Sequence, residues 1–464
     1  MDMLRIRVIF VTFLFLVSMF ASVTSVCSFR QIESLGSHCI YSENHAENEF
    51  NLFYGKQLVW LYALEDISQF NLVFSVPLNF ENQAPIFYRI MDNTTSDVLS
   101  YHMYNDTNSP NKVINITIGH MNKNDRSSLY VEYWVLIKNK KYSDLPQNVE
   151  LPFKCELPQE VRIWLNSTES VQSDNLLIKL KSNNLLRKSD YNLITYADNI
   201  VNYTYNKNNV LRASMLHGGI PNILYSLFPD KFHYFRKEVV DIENKTTTPV
   251  TNMFHDAVST YFMEGACPGV ANLGAALFRA NGIPAKQLVV NSHKKKWMMR
   301  EYNCIHYICE YYCPDYGWLW VDSDYFQKKG ITPQYPTEAV VLKVAYPEDE
   351  NEAGHGLQKT GGKISWIKAY TDNIAYSFIQ WGDSNWNQTI DRTLGANIFN
   401  KTQKVWEYHV KYAGRNLSGI NKQHFLEANV AQQDAIDYFC QSNVIGYSNS
   451  INISYNAYRA INVS

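Results

Sequence analysis

The sequence predicts an α+β protein with a helix-and-strand core, an N-terminal β-sandwich-like domain and a β-rich C-terminal region. In several short segments before residue 157, apolar residues occupy every second position, which is typical of half-buried strands. From about residue 160 the apolar spacing becomes that of amphipathic helices, and beyond residue 330 it is strand-like again. The length of 464 residues suits two or three domains.

The composition is that of an ordinary globular protein. Hydrophobic residues make up 46% of the chain and charged residues 19%, which excludes a mainly disordered polypeptide. The formal net charge of -2 supplies no global field that would attract nucleic acid or anionic lipid. We therefore expect no nucleic-acid partner, and the composition does not indicate an oligomeric state.

The N-terminus predicts a secretory signal peptide over residues 1–26. Arg5 and Arg7 precede an apolar stretch from Val8 to Val23, and small residues follow as far as Ser25. A secreted or cell-surface protein is expected on this basis. The alternative is an uncleaved anchor, because the apolar stretch is nearly long enough to span a bilayer, and a membrane would then be a partner.

N-glycosylation sequons are about twice as frequent as chance predicts, which agrees with a secreted glycoprotein. None lies between Asn244 and Asn387, so this stretch can carry a working surface free of glycans. The eleven sites are Asn93, Asn105, Asn115, Asn166, Asn202, Asn244, Asn387, Asn400, Asn416, Asn452 and Asn462.

Residues 27–157 form the predicted β-sandwich-like domain. Its strand candidates are separated by turn-rich segments and carry apolar residues of one parity, namely Leu72, Phe74, Val76, Leu78 and Phe80, then Ile114, Ile116 and Ile118, then Leu129, Val131, Tyr133 and Val135.

Residues 158–330 form the predicted core domain, which begins with two helices. Their apolar positions are Leu176, Leu177 and Leu180, then Leu193, Ile194, Ala197, Ile200 and Val201, and the expected caps are Ser173 or Asp174, and Asp190.

Residues 331–464 form the predicted β-rich C-terminal region. Strands are expected at 340–344 and around Trp406, Tyr408, Val410 and Tyr412, and a late helix near 422–441. The acidic stretch 347–352 is expected to be an exposed loop.

Cys267 lies where a helix should begin. Pro268 favours the first helical position, which makes Cys267 the expected N-cap, and Gly282 suits the helix C-terminus. A thiol at a helix N-terminus lies near the positive end of the helix dipole and near free N–H groups, which favour a reactive thiolate and can bind an oxyanion. The alternative is a buried or disulfide-bonded cysteine.

A predicted hairpin brings His306 and Asp322 together. Residues 304–312 and 318–322 have the character of two strands joined by a turn that contains Pro314 and Gly317. A loop centred on Pro314 places His306 directly opposite Asp322, with Cβ atoms about 5 Å apart. The carboxylate can then orient the imidazole and stabilise its cation, although such a pair can also be a purely structural contact.

Cys267, His306 and Asp322, with the motifs around them, resemble the transglutaminase-like superfamily of papain-fold cysteine enzymes. The family has Gly-x-Cys at a helix start, then Arg-Ala-x-Gly-Ile-Pro-Ala, then a strand with His, and then Gly-Trp before an Asp. The corresponding residues here are Gly265-Ala266-Cys267, Arg279-Ala280-Asn281-Gly282-Ile283-Pro284-Ala285, His306, and Gly317-Trp318-Leu319-Trp320-Val321-Asp322. The resemblance covers residues from about 160 to 330 and implies a papain-like transglutaminase core.

The resemblance implies a cysteine enzyme that acts on amide bonds of a protein or peptide through a thioester, with no cofactor. Cys267 would be the nucleophile, His306 would move the proton, and Asp322, or failing it Asp324, would orient the histidine. A protease or amidase and a transglutaminase both stay open, although Pro268 replaces the Trp of animal crosslinking enzymes. The alternative from another class is a catalytically inactive surface binding or adhesion protein on the same scaffold.

The chain has eight cysteines, and if Cys267 is free the other seven cannot all pair within the chain. On an extended strand Cys309 and Cys313 are too far apart to bond directly, so we expect their disulfide partners elsewhere. The spacing of Cys304, Cys309 and Cys313 is not a usual zinc pattern, and no metal site is predicted.

Overall fold

A computed structural model describes residues 50–63, 66, 70–92, 95, 99–106, 109–123, 125–138, 148–208, 255–297, 300–322, 339–347, 350, 358–360, 367–380, 392–441 and 443–462. The predicted signal peptide, over residues 1–26, lies outside this described part, as does Asp324. Within it, no helix combines the length and the apolar character needed to cross a membrane.

Two antiparallel four-stranded sheets are built mainly from the N-terminal third of the described residues. The first contains β1 (Phe50–Ala63), β3 (Gln83–Asp92), β6 (Arg126–Lys138) and β12 (Ile367–Gln380) in the order β12-β1-β6-β3. The second contains β2 (Phe70–Val76), β4 (His102–Asn105), β5 (Lys112–Ile118) and β11 (Gln358–Thr360) in the order β11-β2-β5-β4.

Both sheets contribute to one hydrophobic cluster. Leu72 of β2 and Ile114 of β5 belong to the same buried cluster as Tyr88 of β3 and Tyr133 of β6. Most of the predicted inward positions that the structure describes are buried, because every second side chain of a strand points to one face, whereas Phe80 and Ile118 are half-buried.

A third sheet contains the strand that carries His306. It contains β7 (Ala285–Trp297), β8 (Arg300–Cys313), β9 (Gly317–Val321) and β10 (Ala339–Val344) in the order β10-β7-β8-β9. Strands from beyond residue 330 thus join all three sheets: β10 pairs with β7, β11 with β2, and β12 with β1.

Short helices precede the third sheet. They are a 3₁₀ helix (Gln159–Leu165), α1 (Leu176–Arg187), α2 (Leu193–Tyr205), α3 (Ala257–Met263) and α4 (Cys267–Ala280). The predicted caps of α1 and α2 are wrong. Asn175 caps α1 by accepting a hydrogen bond from Leu177 N, and Asn192 caps α2 by accepting one from Thr195 N.

One helix, α4, lies at the centre of the core domain. Its buried residues share a cluster with α1, α2 and the sheet, and the ring of Phe278 stacks on Tyr311 of β8 with centroids 4.7 Å apart. The predicted inward positions Val270, Leu273 and Leu277 are all buried. A helix packed on both sides in this way holds its N-terminus firmly in place.

The predicted β-rich C-terminal region is largely helical near its end. The helices are α5 (Arg392–Tyr412), α6 (Gly419–Cys440) and α7 (Val444–Arg459). The strand predicted around Trp406 and Val410 is therefore wrong. These two residues lie four apart on one face of α5 and pack into the cluster of the first two sheets. A spacing of four residues fits both a strand and one turn of a helix, so the short aromatic run did not distinguish the two.

The expectation of an exposed loop over the acidic stretch 347–352 is wrong at Glu350, and residues 348, 349, 351 and 352 lie outside the described part of the chain. Glu350 is 3% exposed, and its Oε1 lies 2.5 Å from Nη2 of Arg279 in α4. Its Oε2 also accepts a hydrogen bond from Thr168. The prediction failed because a buried carboxylate is recognisable only once its cationic partner is known.

Candidate active site

The backbone before Cys267 makes a tight approach to α3. A Cβ atom at Gly265 would lie 2.9 Å from Oγ1 and 3.1 Å from Cγ2 of Thr260, closer than ordinary contacts allow. Glu264 takes a positive φ of 63°, which is strained for a residue with a side chain. The Gly of the Gly-x-Cys motif is therefore required for steric reasons, since a side chain at this position would collide with Thr260 where the chain turns into α4.

Cys267 is the first residue of α4. Ala266 is the N-cap and Pro268 is the second helical residue, so the predicted cap position was wrong by one residue. The first amide groups of a helix have no partner inside it, and the helix dipole adds positive potential there. The Cys267 side chain is partly exposed, as a nucleophile needs to be.

The Arg-Ala-x-Gly-Ile-Pro-Ala motif ends α4 and anchors it. Gly282 takes a φ of 78°, as predicted, and Ile283 N donates to Phe278 O at 3.2 Å. The buried guanidinium of Arg279 donates to Ala285 O and Asn166 O, each at 2.8 Å, and pairs with Glu350. The motif thus fixes the C-terminal end of the helix whose other end carries Cys267.

The hairpin that carries His306 and Asp322 has a different register from the predicted one. The loop is Pro314-Asp315-Tyr316, and Cys313 pairs with Gly317. Its centre is Asp315, one residue later than predicted, because Asp315 and Gly317 both adopt positive φ. The predicted direct opposition of His306 and Asp322 is therefore wrong.

The shift nevertheless keeps the two side chains on one face. Val321 pairs with Cys309, so the next pair along the ladder would join Asp322 to Ile308. Moving a loop centre by one residue moves each partner by two, and side chains alternate with a period of two. His306 is therefore a diagonal neighbour of Asp322, within reach of a carboxylate.

His306 and Asp322 make a direct contact. Nε2 of His306 lies 2.9 Å from Oδ1 of Asp322, and the residues are 5% and 8% exposed. His306 also interacts with the Cys267 side chain through a hydrogen bond. Since Nε2 is engaged by Asp322, Nδ1 is the ring nitrogen left for the thiol. The structure thus brings all three predicted residues together, with His306 in the middle.

The electrostatics of the site favour the imidazolium. Burial of the ring disfavours the charged form and acts to lower the pKa of His306. The charge and hydrogen bond of Asp322, followed by those of Cys267, act in the opposite direction and hold the pKa well above its usual value. A cationic His306 beside Cys267 is the electrostatic partner that a thiolate requires.

A small cleft surrounds these three residues, and two further polar side chains line it. Tyr307 follows His306 on β8, and burial together with the nearby Cys267 raises the pKa of its hydroxyl, which stays neutral. Asn208 lies just beyond α2 and forms an isolated parallel bridge with Gly265. The sequence contained no signal for Asn208, because only the tertiary fold brings it to Cys267.

The cysteines near the site are free thiols. Cys309 and Cys313 are buried in the cluster beneath α4, so the expectation that they pair with distant cysteines is wrong. Burial raises the pKa of both thiols, to about 12 for Cys313. Cys155 is also a free thiol. Cys27, Cys39 and the side chain of Cys304 lie outside the described part of the chain.

Comparison with solved structures finds two bacterial proteins. A putative cysteine protease from Cytophaga hutchinsonii is 16% identical, with a TM-score of 0.45 over 72% of this chain and 95% of its own. A putative protease from Parabacteroides distasonis is 11% identical, with a TM-score of 0.22 over 57% of this chain and 42% of its own. No curated protein sequence matches the chain significantly.

Comparison with protein families gives one match within the predicted core domain. The matched segment, residues 228–323, contains Cys267, His306 and Asp322 and excludes both flanking regions. The family is the transglutaminase-like superfamily, and the match confirms the resemblance that the motifs indicated.

Proposed function

We propose that the protein is a cysteine enzyme that acts on amide bonds of a protein or peptide through Cys267, His306 and Asp322. The observation that carries the proposal is that His306 contacts Cys267 and Asp322 at once, in a cleft at the start of a helix. The transglutaminase-like match over the same residues supports a function of the cysteine-protease kind at the family level.

The acylation step follows from this geometry. The Cys267 thiolate attacks the carbonyl carbon, and the C=O π pair moves to oxygen. His306 then gives its proton from Nδ1 to the leaving amine, and the oxygen pair re-forms the C=O bond as the C–N bond breaks, which leaves a thioester on Cys267. Asp322 accepts a hydrogen bond from Nε2 throughout, which holds the ring in place and stabilises its cation.

The fate of the thioester decides the reaction class. If water attacks, the protein is a protease or amidase, and if a lysine or other primary amine attacks, it is a transglutaminase. His306 serves either nucleophile as the general base, because it is neutral after donating its proton.

Fluorescently labelled casein, incubated with and without an excess of dansylcadaverine, separates these outcomes. New peptides in both incubations indicate hydrolysis, and dansyl incorporated into intact casein indicates transamidation. Both products should vanish in Cys267→Ala with its circular dichroism spectrum unchanged. A folded wild-type protein that gives neither product, and whose Cys267 resists alkylation, would contradict the proposal and favour an inactive binding or adhesion protein.

We also propose that the protein is glycosylated in the secretory pathway. Support comes from the N-terminal segment and from sequon asparagines that are exposed in the folded chain, namely Asn105, Asn166, Asn202, Asn400, Asn416 and Asn462. The protein is expressed in a eukaryotic secretory host and then treated with a glycosidase in H₂¹⁸O. Several of these asparagines should be converted to aspartates that carry ¹⁸O, which mass spectrometry detects. Retention of the unprocessed N-terminus and unmodified sequons would contradict the proposal.

A further inference from the structure

We propose that Asn208 is a further catalytic residue, whose side-chain amide donates a hydrogen bond to the oxyanion formed when Cys267 attacks a carbonyl. This inference rests on the proposed function. It adds a group that the motifs do not contain, and it explains how the site can stabilise a negative oxygen at a helix start that holds a proline.

The start of α4 offers few donors. Cys267 is its first residue and carries one amide N–H, whereas Pro268 has none, so the residue directly after the nucleophile donates nothing. Oxyanion holes combine several donors aimed at one oxygen, and each is worth a large rate factor. A side-chain donor from another part of the chain can add to the Cys267 amide.

Asn208 lies in the right place to supply it. The residue lines the cleft together with Cys267 and His306 and is only 7% exposed. Its backbone is tied to the segment that enters α4, since it bridges Gly265, and Gly265 N donates to Lys207 O at 2.9 Å. A carboxamide carries two N–H donors, so one can fix the side chain while the other binds substrate.

Other buried carboxamides around α4 are committed to the fold. Gln287 donates from Nε2 to Pro268 O at 3.3 Å, and Asn272 donates from Nδ2 to His255 O at 2.7 Å. Neither of them lines the cleft. Both tie α4 to its neighbours, whereas Asn208 lines the cleft beside Cys267.

The test compares two reactions of the same thiolate. With p-nitrophenyl acetate, sulfur attacks the carbonyl carbon, the π pair moves to oxygen, and the tetrahedral intermediate collapses as the C–O bond to p-nitrophenolate breaks. With iodoacetamide, sulfur displaces iodide at a saturated carbon, and no oxyanion forms. An oxyanion donor accelerates only the first reaction.

Asn208→Ala should slow the p-nitrophenolate burst by about 10²- to 10³-fold and leave Cys267 alkylation within about twofold of wild type. Asn208→Asp, which keeps the shape but replaces the donor by an acceptor, should be at least as slow. Asn206→Ala is the matched control, because Asn206 is exposed at the end of α2 and its side-chain amide donates to Asn202 O, away from the cleft.

Three results would overturn the inference: a normal burst in both Asn208 variants, an equal loss of burst and alkylation, or an equal loss in Asn206→Ala. Failure of the proposed function looks different. In that case, wild-type Cys267 would give no burst and would alkylate no faster than an ordinary thiol.

Discussion

Nε2 of His306 lies 2.9 Å from Oδ1 of Asp322 even though the two residues are not paired across the hairpin that carries them. Asp322 comes directly after β9, where the chain leaves the ladder, so its carboxylate can reach diagonally to His306. The contact leaves Nδ1 of His306 for Cys267. This arrangement places a carboxylate, an imidazole and a thiol in the order that acyl transfer through a cysteine requires.

Asp322→Asn tests the carboxylate without changing its shape. Loss of the charge removes the largest influence that raises the pKa of His306, so burial should then lower it. We expect the turnover rate to fall by about 10²- to 10⁴-fold and the alkaline limit of the pH–rate profile to move to lower pH. An unchanged rate and profile would transfer the role to Asp324 or to no carboxylate.

The same variant changes how stability depends on pH. The pKa of His306 is raised in the folded state, so the stabilisation it gives is complete below the unfolded value of about 6.5 and is lost as pH rises through the folded value. Asp322→Asn should remove this alkaline loss. Urea unfolding between pH 6 and pH 10 measures it, and wild-type stability that rises over that range would contradict the ion pair.

Gly265→Ala should disturb the entry to α4. The added Cβ would meet Oγ1 and Cγ2 of Thr260, so the backbone before Cys267 must move, and we expect at least a tenfold loss of activity. Thr260→Ala removes both contacts, leaving only its Cβ at 3.5 Å. The double variant should regain most of the activity, and failure of this rescue, with Thr260→Ala alone active, would refute the steric explanation.

Arg279→Ala should destabilise the core without touching Cys267, His306 or Asp322. It leaves the carboxylate of Glu350 buried and unpaired, which costs about 3–5 kcal/mol. Arg279→Lys keeps the charge but loses the fork that bonds Asn166 O and Ala285 O, and should cost less. Urea unfolding at pH 7 measures both, and a loss below about 1 kcal/mol in Arg279→Ala would show that the pair contributes little.

His409 should make the C-terminal helices sensitive to acid. Its ring is buried beside Tyr458, and burial lowers its pKa to about 4. The unfolded chain binds a proton at about pH 6.5, so stability should fall as pH drops from 6.5 to 4, by about 3 kcal/mol in total. His409→Phe should flatten this part of the profile, and the exposed His120→Gln should not. If the free energy of unfolding of His409→Phe falls between pH 6.5 and pH 4 as much as that of the wild type, the role of His409 is contradicted.

The sequence predicted most of what local pattern controls. The Cys267 helix, its glycine end at Gly282 and the hairpin with His306 all follow from spacing and turn chemistry. The second strand of the hairpin agrees with the prediction within one residue, whereas the strand with His306 begins at Arg300, four residues before the predicted start. The predicted proximity of His306 and Asp322 is correct despite the wrong register, because a shift of two residues keeps both side chains on the same face of the hairpin.

Features that depend on distant contacts could not be predicted. Asn208 reaches the cleft through a bridge to Gly265, and Glu350 is buried only because Arg279 meets it. The aromatic run at Trp406 has an apolar period that fits both a strand and a helix, and packing against the sheets decides between them. In each case the partner that decides the outcome is far away in the chain.

The most direct test of the catalytic assignment is the rate of iodoacetamide labelling at Cys267 between pH 4 and pH 9, measured by peptide mass spectrometry in the wild type and in His306→Ala. We predict fast labelling well below pH 8 in the wild type and slow labelling there in His306→Ala, because the imidazolium stabilises the thiolate. Labelling of the wild type that rises only near pH 8.5, as for an ordinary thiol, or that is the same in both proteins, would contradict it.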